Sequence, residues 1–313
     1  MTEQTAPLSF AAILGQDKAK KILTRSLISG RIAHAYLFRG PDGVGKQLCA
    51  RVVAARINCT GSGTRRPCGS CSSCRKYISG NHPDIVIISP EGGTIKISRV
   101  RELCRSLSYP PYESAMRVVI IEDVHTMRIE AANALLKTLE EPPDNNLLIL
   151  TAEASRGILP TIVSRCQTIP FYGLSNEQTK TVLRKFRPGL ELPDAELLSR
   201  LAEGSPGQAL LLEEKGIIEI WKKVVKAVQK KTGDSSDSIS SLLSLADTLS
   251  ALKDNLIPLF GLLRIWIRDQ MVGEAGTSSS TTGVHQARLA ALERAEQQLS
   301  RNCNRVFVCE VLL

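Results

Sequence analysis

Short apolar runs bounded by turn residues recur through the first 172 residues, at Ala35 to Phe38, Asp84 to Ile88, Val118 to Ile121, Leu147 to Leu150 and Cys166 to Phe171. Their apolar positions are contiguous instead of alternating, the pattern of strands covered on both faces. Helical periodicity fills the gaps: Lys46 to Arg56, Arg99 to Leu107 with Ser98 as N-cap, and Ile129 to Glu140, which ends where Pro142-Pro143 cannot continue a helix. Strand and helix alternating in this way predict a mostly parallel sheet with helices on both faces, an α/β domain.

After Gly173 the strand signal fades. Ser175-Asn176-Glu177-Gln178 is a helix-start signature, and a helical region runs from it to about Leu212, broken at Gly204-Ser205-Pro206-Gly207. Amphipathic helices are then predicted over Ile217 to Lys231, Ser240 to Leu252, Asn255 to Met271 and His285 to Arg301, with the polar stretches Thr232 to Ser238 and Gly273 to Gly283 as loops. Asn304 is placed to cap a last helix, although Val306 to Val311 alone fits a strand equally well. The 313 residues thus divide into an α/β domain over 1–172, a small helical region over 173–212 and an all-helical domain over 213–313, in keeping with ~100–200 residues per domain.

Hydrophobic residues make up 43% and charged residues 23% of the chain, which excludes collagen-like, wholly disordered and disulfide-dense classes. The opening MTEQTAPLSF has no basic segment followed by an apolar core, and the most apolar later stretch, Ile257 to Ile267, is short and carries Arg264. A cytoplasmic, reducing setting is therefore expected, with the 9 Cys as free thiols or metal ligands. Net charge is +9, and its excess lies in front: residues 1–172 hold 22 basic and 14 acidic side chains, the rest 18 and 17. That asymmetry favours a phosphate-rich partner, DNA or nucleotide, at the N-terminal domain; a well-solvated basic surface is the plain alternative.

Gly40-Pro41-Asp42-Gly43-Val44-Gly45-Lys46 follows a predicted strand and opens a predicted helix, the context of a phosphate-binding P-loop. Gly40, Gly43 and Gly45 let backbone N–H groups face a phosphate, and Lys46 neutralises its outer oxygens. The pattern then departs: Gln47 stands where a Ser or Thr hydroxyl would hold Mg²⁺. At the end of the strand Val118 to Ile121, Glu122-Asp123 supplies two carboxylates where a P-loop ATPase places its metal-holding and base acids, but in reversed order, so the base is a methylene too short. A misplacement of ~1 Å can cost ~100-fold in rate. Both departures point to a degenerate nucleotide site, or to a glycine-rich turn with no ligand.

Cys59, Cys68, Cys71 and Cys74 form Cx8CxxCxxC with small residues between them, a spacing that can close a tetrahedral thiolate shell around zinc. An iron–sulfur cluster and unligated thiols are the alternatives. His82 reads as a turn or packing residue. Cys49, Cys104, Cys303 and Cys309 lie in apolar patterns and read as buried small hydrophobes.

With these motifs stand Ile13-Leu14-Gly15-Gln16, His34-Ala35-Tyr36-Leu37-Phe38-Arg39-Gly40, the run from Ala132 to Pro143 and Ser164-Arg165-Cys166. Together they resemble the AAA+ clamp-loader subunits of bacterial DNA polymerase III, densely from about residue 10 to 210. The resemblance implies an AAA+ P-loop domain with a zinc insert at 59–74, a helical lid, and a C-terminal helical collar that joins subunits. It also implies partners: gamma/tau and delta subunits, and through the complex a sliding clamp and primed DNA. Gln47, the Glu122-Asp123 order, and Gly207 where hydrolysing members carry a sensor arginine incline it to the family's delta prime branch, with ATP or ADP bound weakly or not at all. In that family the arginine of Ser164-Arg165-Cys166 reaches a neighbouring subunit's nucleotide as a finger in trans. An ATP-hydrolysing gamma/tau-like subunit and a zinc-dependent DNA-binding module are the competing readings.

Overall fold

The computed structural model describes residues 9–62, 66–154, 156–230, 246, 249, 252, 256–273, 279–301 and 303–312. Two compact units emerge, one of residues 1–178 with 204–207 and the other of 179–203 with 208–313. In the first, β1 (Ala35–Arg39), β2 (Ile85–Ile88), β3 (Arg117–Ile121), β4 (Asn146–Ala152) and β5 (Gln167–Pro170) form a parallel sheet ordered β2-β3-β4-β1-β5. Each strand falls on a predicted run. Register is set by apolar pairs such as Leu37 opposite Leu150, and Ile120 opposite Ile149.

Around this sheet lie α1 (Asp17–Ser29), α2 (Lys46–Ile57), α3 (Ser72–Ile78), α4 (Ile97–Leu107), α5 (Ile129–Glu140) and α6 (Pro160–Val163). Leu37, Val119, Ile121, Leu148 and Leu150 form one core with Val100, Leu103 and Leu107 of α4 and Leu135 and Leu139 of α5. From α2, which packs on β3 and β4, Ala50, Val53 and Ala54 are buried. A fully buried Val, Leu or Ile contributes ~1.5–3 kcal/mol, so central strands of this composition hold the unit together. One expectation fails locally: α4 starts after Lys96, with no side-chain cap, and Ser98 is its second residue. Isoleucine at position 97 is already partly buried against the core and draws the helix start two residues earlier.

Beyond the sheet the structure is helical: α7 (Asn176–Phe186), α8 (Leu192–Leu201), α9 (Pro206–Glu214), α10 (Ile217–Lys230), α11 (Leu256–Gly273), α12 (Ser279–Ser300) and α13 (Arg305–Leu312). The predicted box at the start of α7 is made in full: Gln178 N–H donates to Ser175 Oγ at 3.2 Å and Ser175 N–H to Gln178 Oε1 at 3.1 Å. The second unit buries Leu183, Leu198, Leu212, Ile217, Phe260 and Leu292 in one core. Arg200 grips Asp269 with two bonds of 2.6 and 2.9 Å, tying α8 to α11. Asn304 Oδ1 accepts from Val306 N–H at 3.0 Å, and the last segment is a helix, not a strand. The predicted loop over Gly273 to Gly283 is cut short because helix begins at Ser279; Ser and Thr disfavour helix by less than ~1 kcal/mol per residue, which the amphipathic segment behind them overrides. The loop Thr232 to Ser238 and most of the helix Ser240 to Leu252 lie outside the described residues. No helix among the described residues is long and apolar enough to cross a membrane.

Candidate functional site

Strand β1 lies between β4 and β5, and at its carboxyl end the chain turns into the P-loop and α2. This is where an open parallel sheet leaves a crevice for ligands. Gly43 and Gly45 adopt positive φ of 70° and 99°, conformations that side chains resist, and Gly45 leads into Lys46 at the helix start. A cleft of about 360 Å³ is lined by Asp42, Gly43, Gly45, Lys46, Gln47, Leu48 and Asp123. Gly40 is not among them. A Cβ on Gly40 would lie 2.4 Å from the Phe171 carbonyl oxygen, so this glycine serves the close approach of β1 to the exit of β5.

Lys46 is only 4% exposed, and its Nζ donates to Gly40 O at 2.9 Å, Pro41 O at 2.7 Å and Asp42 Oδ1 at 2.9 Å. The start of α9 closes on the same loop: Ser205 Oγ donates to Asp42 O at 2.6 Å and Gly207 N–H to Gly43 O at 3.0 Å. Any side chain at 207 would put its Cβ 2.6 Å from Gly43 Cα. Gln16, itself in the left-handed region, stitches the loop to the end of β5 by donating to Val44 O and Tyr172 O while accepting from Tyr172 N–H.

The two acids after β3 part company. Asp123 faces the cleft, where burial and then the charge of Asp42 raise its pKa. Glu122 is buried and engaged elsewhere, accepting from Ser89 Oγ at 2.7 Å and pairing with Arg51 Nη2 at 3.4 Å. It neither lines the cleft nor solvates a strand end.

Four cysteines of the insert converge, their sulfurs all within 4.8 Å of one another. Backbone amides of Cys68, Cys71 and Cys74 point at the sulfurs of Cys59, Cys68 and Cys71 at 3.3–3.4 Å, the arrangement that stabilises thiolate. Burial pushes the Cys71 thiol up, but hydrogen bonds from Thr60 and the Cys74 amide bring it down to about 5. Amides of Cys71 and Ser70 likewise lower Cys68, whereas burial carries Cys74 up to about 12. Gly61 packs so tightly that a Cβ would sit 2.9 Å from Cys68 Sγ. Four convergent thiols with inward amides fit a tetrahedral metal. His82 is a packing residue, as expected: buried, with Nε2 3.0 Å from Ser73 Oγ and Nδ1 accepting from Asp84 N–H. Cys49 and Cys309 are buried, and Cys104 is half-buried. Cys303 is exposed, contrary to expectation, because it follows the end of α12 and precedes the Asn304 cap, outside any packed face.

Arg165 follows α6 at a surface corner. Its Nη1 donates to Thr161 O at 3.0 Å and Ser164 Oγ at 3.3 Å, and Nη2 pairs with Glu140 at the end of α5. The guanidinium side chain stays 32% exposed. Nε and the second Nη2 hydrogen have no hydrogen-bond partner among the described residues.

Several working residues went unread in the sequence. Asp42 stood in the P-loop motif with no role of its own; Ser89 and Arg51 gave no signal, although Ser89 lies just past the carboxyl end of β2, where polar residues border a crevice. Asp84, at the start of a predicted strand, is fully buried and accepts the amides of Tyr112, Glu113 and Ser114 at 2.6–2.9 Å. Burial raises its pKa, and those three amides outweigh it and hold the carboxyl below its usual range.

Residues 15–175 match the family model described as DNA polymerase III, delta subunit. The tau subunit of DNA polymerase III from Escherichia coli is 36% identical over 215 residues, covering 67% of this chain and 33% of that protein. The delta' subunit from Bacillus subtilis is 40% identical over 159 residues, covering 51% and 48%. A solved DNA polymerase III gamma subunit-related protein from Thermotoga maritima aligns with a TM-score of 0.45 at 19% identity, over 95% of this chain and 97% of that one. The chain spans about a third to a half of the length of these curated relatives. Since the family match covers more than half of its residues, the chain belongs to the DNA polymerase III clamp-loader family.

Proposed function

We propose that this chain is the non-hydrolysing, delta prime subunit of a cytoplasmic DNA polymerase III clamp loader, a part of the DNA-directed DNA polymerase holoenzyme. It supports ATP-dependent loading of the sliding clamp onto primed DNA, together with gamma/tau and delta subunits joined through the helical collar. Arg165 acts in trans on the nucleotide of the adjacent subunit, where a planar guanidinium stabilises charge spread over phosphoryl oxygens. The observation that carries the non-hydrolysing half is Gly207: the position of the sensor arginine is a glycine seated 2.6 Å, Cβ to Cα, against Gly43, with no room for a side chain. Gln47 in place of a Mg²⁺ ligand and the engagement of Glu122 by Ser89 and Arg51 support the same reading. Retention of Lys46 and the identity to tau favour the second reading, an ATP-hydrolysing subunit.

Steady-state ATP turnover by the purified chain separates the two: none above background is expected, and turnover lost in Lys46→Ala would establish the second. Zinc is proposed at Cys59, Cys68, Cys71 and Cys74, where it orders an insert too small to have its own core; structural zinc contributes ~10–16 kcal/mol to such modules. Elemental analysis of protein purified without added metal should give one zinc per chain. Iron, or no metal, would overturn the assignment.

A further inference from the structure

The P-loop of this chain carries its own anion. An ammonium has three N–H donors, and all three of Lys46 are used within the loop, two on the carbonyls of Gly40 and Pro41 and the third on the Asp42 carboxylate at 2.9 Å. Asp42 itself is a surface residue, its side chain 60% exposed over the mouth of the cleft, while Lys46 is buried beneath it. Its backbone is fixed from the other side, since Ser205 Oγ bonds Asp42 O and Gly207 N–H bonds the next carbonyl, Gly43 O. The carboxylate itself makes one bond, to Lys46 Nζ, while two bonds to carbonyls fix the ammonium and two more fix the backbone that carries Asp42.

We propose that Asp42 is the residue that sets this site against nucleotides: an intramolecular counter-anion that occupies the place of a nucleotide's terminal phosphate on Lys46. An entering phosphate must displace Asp42 from the only lysine lining the cleft among the described residues, and it then meets two carboxylates, Asp42 and Asp123. At separations of ~5 Å near a protein surface, each such charge disfavours a phosphate by more than tenfold in affinity. Gln47, on the next residue, offers an uncharged amide that does not offset them. The inference rests on the non-hydrolysing reading of this cleft and names the residue responsible for its poor affinity.

The test is the affinity of the full chain for Mg·ADP, measured by calorimetry for wild type, Asp42→Asn, Asp42→Ala and each of these combined with Lys46→Ala. Asp42→Asn keeps the size and a hydrogen-bonding group but removes the charge, and because the position is exposed both variants fold, as thermal melts will verify. Both single variants should bind at least about tenfold tighter than wild type, and Lys46→Ala should shrink the gain by the share that comes from freeing the lysine. Equal affinities in wild type and both variants, detectable or not, would overturn the proposal while leaving the non-hydrolysing reading intact. A gain that survives Lys46→Ala undiminished would overturn it too. Tight wild-type binding accompanied by ATP turnover would overturn both.

Discussion

The P-loop cleft and the Arg165 corner both hold a cation of the kind that handles phosphoryl oxygens, yet they are wired differently. In the cleft every donor of Lys46 ends on an acceptor of its own loop, and Glu122 is consumed by Ser89 and Arg51. At the corner, Thr161, Ser164 and Glu140 take three of the five donors of Arg165 and orient the fork, and the other two have no partner among the described residues. The lesson is that a motif specifies which residue stands at a position, while the neighbours decide whether its charge is available. The proposed function, an arginine lent to a neighbour beside an unused nucleotide site, would need this division.

The comparison breaks most sharply at Arg165. Arg165→Ala should lower hydrolysis at the adjacent subunit's site in a reassembled complex by up to ~10³–10⁵, the worth of a fully engaged arginine finger, with zinc content and assembly unchanged. Arg165→Lys should rescue poorly, because a point charge cannot reproduce two parallel donors. Clamp-loading rate and single-turnover hydrolysis are the readouts.

Gly207→Ala tests whether the cleft is closed as tightly as the geometry indicates. Its Cβ would press on Gly43 backbone, which cannot swing aside as a side chain would. A loss of about 1–3 kcal/mol in unfolding free energy is expected by denaturant titration. No loss would mean that the 204–207 segment does not sit on the loop.

The smallest effect is expected at Asp84, a polar group satisfied for structural ends alone. Its carboxyl is held below its ordinary pKa in the folded chain, so its contribution to stability is present above about pH 4 and is lost as pH falls through the lower folded value. Asp84→Asn should flatten the acid limb of a stability-versus-pH curve. It should not alter the Arg165 effect, because Asp84 anchors the 112–114 turn at the far strand of the sheet.

Much of the sheet domain was legible because contiguous apolar runs such as Val118 to Ile121 have one home in a soluble α/β unit, buried between two layers. The cysteine insert was legible for a similar reason: Cys68, Cys71 and Cys74 are near in sequence, so spacing stands for geometry. What the sequence hid are pairings across long separations. Glu122 meets Arg51 across 71 positions, and Ser205 meets Asp42 across 163. The reversed acids predicted a weak site through a carboxylate one methylene too short; what they did not signal is that the longer one is bonded to Ser89 and Arg51. Local rules also yielded where packing competed, as at Ser98, which the partly buried Ile97 displaces from the cap.

Single-turnover ATP hydrolysis by complexes reassembled with wild-type, Arg165→Ala or Lys46→Ala chain tests the division of labour most directly. The account predicts a large loss with Arg165→Ala and a rate indistinguishable from wild type with Lys46→Ala. A large loss with Lys46→Ala, or none with Arg165→Ala in a complex shown to be intact, would contradict it.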